Sequence, residues 1–90
     1  MQKGMYTYAW DLQEEGVKKV VGRLRNAGLN TVTLATSYHA GKFLRPHAPR
    51  HKVYFPEDGT VYFQPDPSRY RRVKPRVSRI VDDFDALREL

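Results

Sequence analysis

Two hydrophobic periods follow one another along the first part of this chain. Met5-Tyr6-Thr7-Tyr8-Ala9-Trp10 is a run of aromatic and β-favouring residues, and it predicts a strand over 5–10. Past Asp11 the period changes. Val17, Val20, Val21, Leu24 and Ala27 recur at helical spacing and share one face, which predicts a helix over 12–27. Lys18, Lys19, Arg23 and Arg25 fall mostly off that stripe. Asp11 and Glu14 stand at capping-box spacing, and Glu15 adds charge where a helix start favours anions. Gly28 followed by Leu29 suits a left-handed helix terminus with an apolar residue behind it. Thr31-Val32-Thr33-Leu34-Ala35-Thr36 then predicts a second strand over 31–36. Two strands with one helix between them form a β-α-β unit, so the strands are expected to be parallel.

Periodicity fails between Tyr38 and Lys52, a stretch with Gly41, Pro46, Pro49 and three histidines. Two β-prone triplets follow, Val53-Tyr54-Phe55 and Val61-Tyr62-Phe63, on either side of Pro56-Glu57-Asp58-Gly59. The turn-forming residues predict a local hairpin, so 38–63 reads as loop and hairpin. Residues 64–78 return to loop, with Pro65, Pro67 and Pro75. Ile80, Val81, Phe84, Leu87 and Leu90 resume a helical spacing, with Ser78 as candidate cap, so a helix is expected from 79. The expected class is α/β: a β-α-β unit, a long loop with a β-hairpin, and a C-terminal helix start. A helical period still running at Leu90 leads us to expect a single partial domain over 1–90.

Composition narrows this picture. Ninety residues bound the chain to one small domain with a thin core. Cysteine is absent, so disulfides and thiolate metal sites are excluded. Forty per cent hydrophobic residues are too many for a disordered chain, yet no apolar run is long enough to cross a membrane. No signal-peptide pattern follows Met1, which leaves a cytoplasmic location as the default expectation.

The net charge of +6 is unevenly spread. Residues 1–41 carry net +2, residues 42–79 net +7, and residues 80–90 net −3. The densest run is Arg69-Tyr70-Arg71-Arg72-Val73-Lys74-Pro75-Arg76. Arginines with an interleaved aromatic can hold phosphates and stack on a base, so residues 69–79 of a small basic module binding nucleic acid are the alternative functional reading. The same run also reads as a solvated loop, having neither a helical period nor a nucleic-acid-binding motif around it.

Other candidate chemistry gathers where the strands end. Asp11 at the close of the first strand reads either as a helix cap or as a ligand-facing carboxylate. Ser37-Tyr38-His39-Ala40-Gly41-Lys42 follows the second strand, on the edge where α/β proteins place ligands. His39, His47 and His51 invite a metal, but Pro49 prevents the helix that would align the last two, and no metal site is expected. Neither a phosphate-binding glycine loop nor a nucleophile-elbow serine occurs, and no cofactor is implied.

The strand closing in Tyr8-Ala9-Trp10-Asp11, the Ala27-Gly28-Leu29-Asn30-Thr31-Val32 junction, and the run Leu34 to His47 together resemble the amino-terminal part of bacterial glycoside-hydrolase-like (β/α)8-barrel proteins. The run Lys52 to Tyr70 resembles the same group, and Ser37-Tyr38-His39-Ala40-Gly41 and Tyr54-Phe55-Pro56-Glu57-Asp58-Gly59 are its more particular segments. The resemblance implies a partial TIM barrel, since a full one takes about 250 residues. It implies a hydrolase whose catalytic carboxylates come from later strands, leaving this chain a carbohydrate-facing edge. That edge would be formed by Trp10, Asp11, Tyr38, His39, Lys42 and His47. The expected partners are a carbohydrate and either the remainder of a barrel or a second copy, covering strand edges that are otherwise exposed.

Overall fold

The computed structural model describes residues 1–90. It is a mixed α/β domain with three α-helices and several small sheets. Strand β1 (Gly4–Tyr8) pairs in parallel with β2 (Thr31–Ala35), in a register running from Gly4 opposite Thr31 to Tyr8 opposite Ala35. Helices α1 (Ala9–Glu15) and α2 (Val17–Asn26) lie between them in the chain. The expected β-α-β unit is therefore present.

Its boundaries differ from the sequence expectation in an instructive way. The first strand stops at Tyr8, and Ala9 and Trp10 already belong to the helix. Pairing with β2 runs out at Ala35, and helical backbone at Ala9 turns the indole of Trp10 into the core. The expected helix over 12–27 thus begins three residues early. It is also cut in two at Gly16, whose φ of +93° is left-handed. Asp11 caps nothing: Tyr8 occupies the N-cap position without a side-chain cap, and Asp11 sits inside the first turn. There its charge still faces the positive end of the helix dipole.

The far end of α2 matches expectation. The Gly28 N–H donates to the Arg25 carbonyl and the Leu29 N–H to the Leu24 carbonyl, with Gly28 at φ +89°. These two bonds form a Schellman termination, and Leu29 returns toward Leu24.

The hairpin is not formed. Strand β3 (Ser37–Tyr38) pairs antiparallel with β6 (Thr60–Val61), and β4 (Phe43–Leu44) pairs antiparallel with β5 (Val53–Tyr54). Strand β7 (Arg76–Val77) adds to β6 in parallel, giving the order β3-β6-β7. The Pro56–Gly59 segment does reverse the chain, with Gly59 at φ +62°, but its two flanks enter different sheets. Tyr54 and Tyr62 both pack on Trp10, and that burial outweighs a local ladder between their own strands.

The later loop also holds more structure than expected, with a 3-10 turn at Pro67–Arg69 besides β7. The helix expected from 79 is divided. Ser78 does cap it, accepting from the Ile80 N–H, but the turn it caps is a short 3-10 helix, Arg79–Asp82. Helix α3 (Ala86–Glu89) then starts afresh. Asp85 causes the break, because its carboxylate accepts from both the Arg88 and the Gln64 N–H groups while its own backbone stays extended.

Only 13 of 90 residues are buried, so few contacts can hold the fold. Trp10, 1% exposed, is the largest of them. Its indole stacks on Tyr8 at 4.7 Å and on Tyr54 at 5.1 Å, and meets Tyr38, Phe43 and Tyr62 at 6.1, 5.4 and 5.3 Å between centroids. Aromatic pairs at such separations contribute about 0.5–1.5 kcal/mol each beyond area burial. One ring therefore ties β1, β3, β4, β5 and the residue after β6 to α1.

The β1–β2 pair itself is thinly covered. Met5, Thr7, Val32 and Leu34 share one face, while Gly4, Tyr6, Tyr8, Thr31, Thr33 and Ala35 share the other. Thr7 is buried and Leu34 packs on the core, whereas Tyr6 is 76% exposed and Thr33 is exposed beside it.

Glycine substitution checks the break between α1 and α2. A Cβ at Gly16 meets no atom within 4 Å, so any cost is conformational and not steric. Gly16→Ala is expected to lower unfolding free energy by about 1–3 kcal/mol, the usual cost of a non-glycine residue in such a region. Gly22→Ala, mid-helix and also in open space, should raise it by about 0.5–1 kcal/mol. Urea titration of both variants distinguishes the two signs.

Candidate functional site

The six side chains expected to share one edge divide into two groups, and Trp10 joins neither. With 1% exposure and rings stacked on it, the indole has no face left for a ligand. The expected sugar-stacking role of Trp10 is replaced by a structural one, since the helical turn at Ala9 points the ring inward.

Tyr38 and His39 stand together at the carboxyl end of the parallel pair. Their rings stack at 4.2 Å, and the Tyr38 ring meets Tyr8 edge-on at 5.2 Å and Phe43 at 5.5 Å. Tyr38 is half-buried and His39 exposed, so the inner ring is fixed and the outer one faces solvent. Imidazole Nδ1 lies 2.6 Å from the Ala40 carbonyl, which acts as acceptor and places the Nδ1 proton between them. With Nδ1 turned to that carbonyl, Nε2 is the ring nitrogen left for a ligand. The neighbouring Tyr38 phenol, followed by burial, raises the pKa of the Tyr8 hydroxyl above its ordinary value. The Tyr8 phenol thus remains protonated at neutral pH, able to donate and to accept a hydrogen bond.

The loop behind them is anchored. The Ala40 N–H donates to the Asp58 carboxylate at 3.1 Å. At Gly41 an added Cβ would lie 2.9 Å from the Phe43 ring, so the chain passes where no larger residue fits without moving that ring. Lys42 follows, exposed and without an ion-pair partner.

Asp11 and His47 meet elsewhere. They line a cleft of about 380 Å³ between β1, α1 and α2, together with Met5, Thr7, Glu15 and Arg23. Glu15 is already paired with Arg23. Asp11 is raised from an ordinary 3.8 to about 6, first by burial and then by the Glu15 charge, with Arg45 opposing. A carboxyl group that titrates near neutrality can exchange a proton; it lines this cleft, which Tyr38 and His39 do not, although its charge also reaches the Tyr8 hydroxyl.

Sequence reasoning gave Arg45 no role, read Glu14 only as a capping-box partner and Glu57 only as a turn residue. Arg45 is buried, its guanidinium 5.0 Å from the Tyr54 ring centre, donating to the Trp10 carbonyl at 3.4 Å while its Nε has no partner. Glu14 holds the long loop by accepting from Arg50 and from the His51 N–H, and the His51 imidazole is 3.6 Å away. Burial works to raise Glu14, but these donors hold it below the usual carboxylate value. Glu57 is lowered by hydrogen bonds from the Ser78 hydroxyl at 2.7 Å and the Arg79 N–H at 2.9 Å. Their roles depend on contacts more than twenty residues apart in sequence, which no local spacing reveals. The three histidines end in three settings: His39 on Tyr38, His47 in the cleft, His51 beside Glu14.

No protein-family model, curated protein or solved structure matches this chain.

The cleft gives a pH prediction. The folded chain holds the Asp11 proton more tightly than the unfolded chain, so ionisation of Asp11 opposes folding. Its stability contribution is therefore greatest below about 3.8, declines as pH rises toward about 6, and stays lost above that. Asp11→Asn should flatten this part of the stability profile and make the protein more stable than wild type at pH 7. Denaturation midpoints taken across that pH range measure it, and an unchanged profile would place the Asp11 carboxyl in water.

Proposed function

We propose that the β1–α–β2 unit is one unit of a glycoside-hydrolase-like barrel, and that its carboxyl edge binds carbohydrate through Tyr38 and His39. The observation that carries this reading is the stacked, half-exposed Tyr38–His39 pair, placed directly after two parallel strands. Ligands of parallel α/β sheets gather at that end. A sugar hydroxyl both donates and accepts. The edge offers it the phenols of Tyr8 and Tyr38, the outward Nε2 of His39 and the ammonium of Lys42. The imidazole face that is not against Tyr38 can take the apolar side of a pyranose ring.

The barrel part of the reading is supported by the open flank of the β1–β2 pair. A parallel pair is ordinarily covered on both faces, and here Tyr6 and Thr33 face solvent. Further strands beside β1 or β2 would enclose that face. The reading assigns binding and not bond cleavage to these residues, because no two carboxylates converge on the Tyr38–His39 edge. Asp11 and His47 are left out of the sugar contact, since they line the separate cleft.

Binding of neutral oligosaccharides followed by calorimetry tests the assignment. His39→Ala and Tyr38→Phe should each weaken binding about three- to tenfold, the loss of one hydrogen bond or ring contact. His47→Ala should leave it unchanged. A panel on which wild type and His39→Ala bind alike, or on which His47→Ala is the weak variant, would overturn it.

A further inference from the structure

The proposed edge lies in the same sheet as Arg76, which closes the most basic run of the chain. In the order β3-β6-β7, Tyr38 is opposite Thr60, and Thr60 is opposite Arg76. Neighbouring strands are about 4.8 Å apart, so the backbone of Arg76 lies about 10 Å from that of Tyr38. The segment leading into β7 therefore runs toward the sugar-facing edge, and the exposed Lys42 follows His39 in the loop.

Its charge is not neutralised within the fold. Arg69 pairs with Asp66 at 3.6 Å, and Arg79 stands 3.9 Å from Glu57, which also feels the charge of Arg76. Arg71, Arg72 and Lys74 are exposed and have no carboxylate within ion-pair distance. No acidic residue occurs between Pro67 and Arg79. Three unpaired cations within four residues repel one another, and a bound anion would relieve that repulsion. The one aromatic of the run, Tyr70, is half-buried. Sequence-tolerant nucleic-acid sites present several exposed rings on which bases stack, and this strip has only this one.

We propose that the ligand of the Tyr38–His39 edge is an anionic glycan, a chain carrying uronate or sulfate groups, whose charges are held by Arg71, Arg72 and Lys74. The inference rests on the carbohydrate reading and narrows it to a charged substrate class. The strip supplies attraction and orientation along the chain of the ligand, and the ring pair supplies contact with one sugar. Attraction of this kind weakens steeply with salt, whereas ring contact does not.

The test is a binding comparison among an oligogalacturonate, a neutral glucan oligomer of equal length and a single-stranded RNA homopolymer, at about 50 and about 200 mM salt. Wild type is expected to bind the uronate oligomer at least about tenfold more tightly than the neutral one at low salt, with the preference shrinking at high salt. The triple variants Arg71→Glu/Arg72→Glu/Lys74→Glu and Arg71→Gln/Arg72→Gln/Lys74→Gln should lose the preference and keep neutral-glucan binding. These positions are exposed, and near-ultraviolet dichroism of Trp10 checks that the core is intact. His39→Ala should weaken both glycans. Equal affinity for the two glycans in wild type would overturn the inference and leave the carbohydrate reading standing. Binding of neither glycan would overturn both. RNA binding that exceeds uronate binding, survives His39→Ala and disappears in the triple variants would make the strip a nucleic-acid site.

Discussion

The fold depends on the burial of Trp10. A chain with so few buried residues has no second core to fall back on, and this one indole contacts rings from four strands and a loop. The consequence for function is geometric. Tyr8 and Tyr38 are held by the same ring, so the edge that faces solvent inherits its position from the core. Arg45, donating to the Trp10 carbonyl beneath Tyr54, extends that support to the long loop.

Charge does a second, separable task. Glu14 and Glu57 each collect donors from distant segments and so pin the loops that carry the basic residues. Both carboxylates are held below their ordinary pKa, so the stability they add is present above the unfolded value and is lost as pH falls through the folded one. Asp11 works in the opposite sense, because burial and not donation dominates its surroundings. Arg71, Arg72 and Lys74 are among the cations that no carboxylate pairs within the fold.

Local pattern was enough for the parts of the chain that close on themselves. The Val17, Val20 and Leu24 part of the α2 stripe, the Gly28–Leu29 termination, the Ser78 cap and the parallel strands are all written in neighbouring residues, whereas Val21 and Ala27 of that stripe stay exposed. It failed where distant burial competed with a local preference. Trp10 looks like the last residue of a strand, yet the core draws it into a helical turn. The Pro56–Gly59 turn looks like a hairpin, yet Tyr54 and Tyr62 each leave it for the indole. The same competition split the candidate site. Tyr38 and His39 kept the expected edge, while Asp11 and His47 moved to the cleft beside α2.

The central claim is that the Tyr38–His39 edge, and not the Asp11–His47 cleft, receives the ligand. Backbone amide chemical shifts followed through titration with a uronate oligomer test it most directly. Shifts are expected at Tyr38, His39, Ala40 and Lys42, joined by Arg71, Arg72 and Lys74. Shifts confined to Thr7, Asp11, Val20 and His47, or no shifts at saturating oligomer, would contradict it.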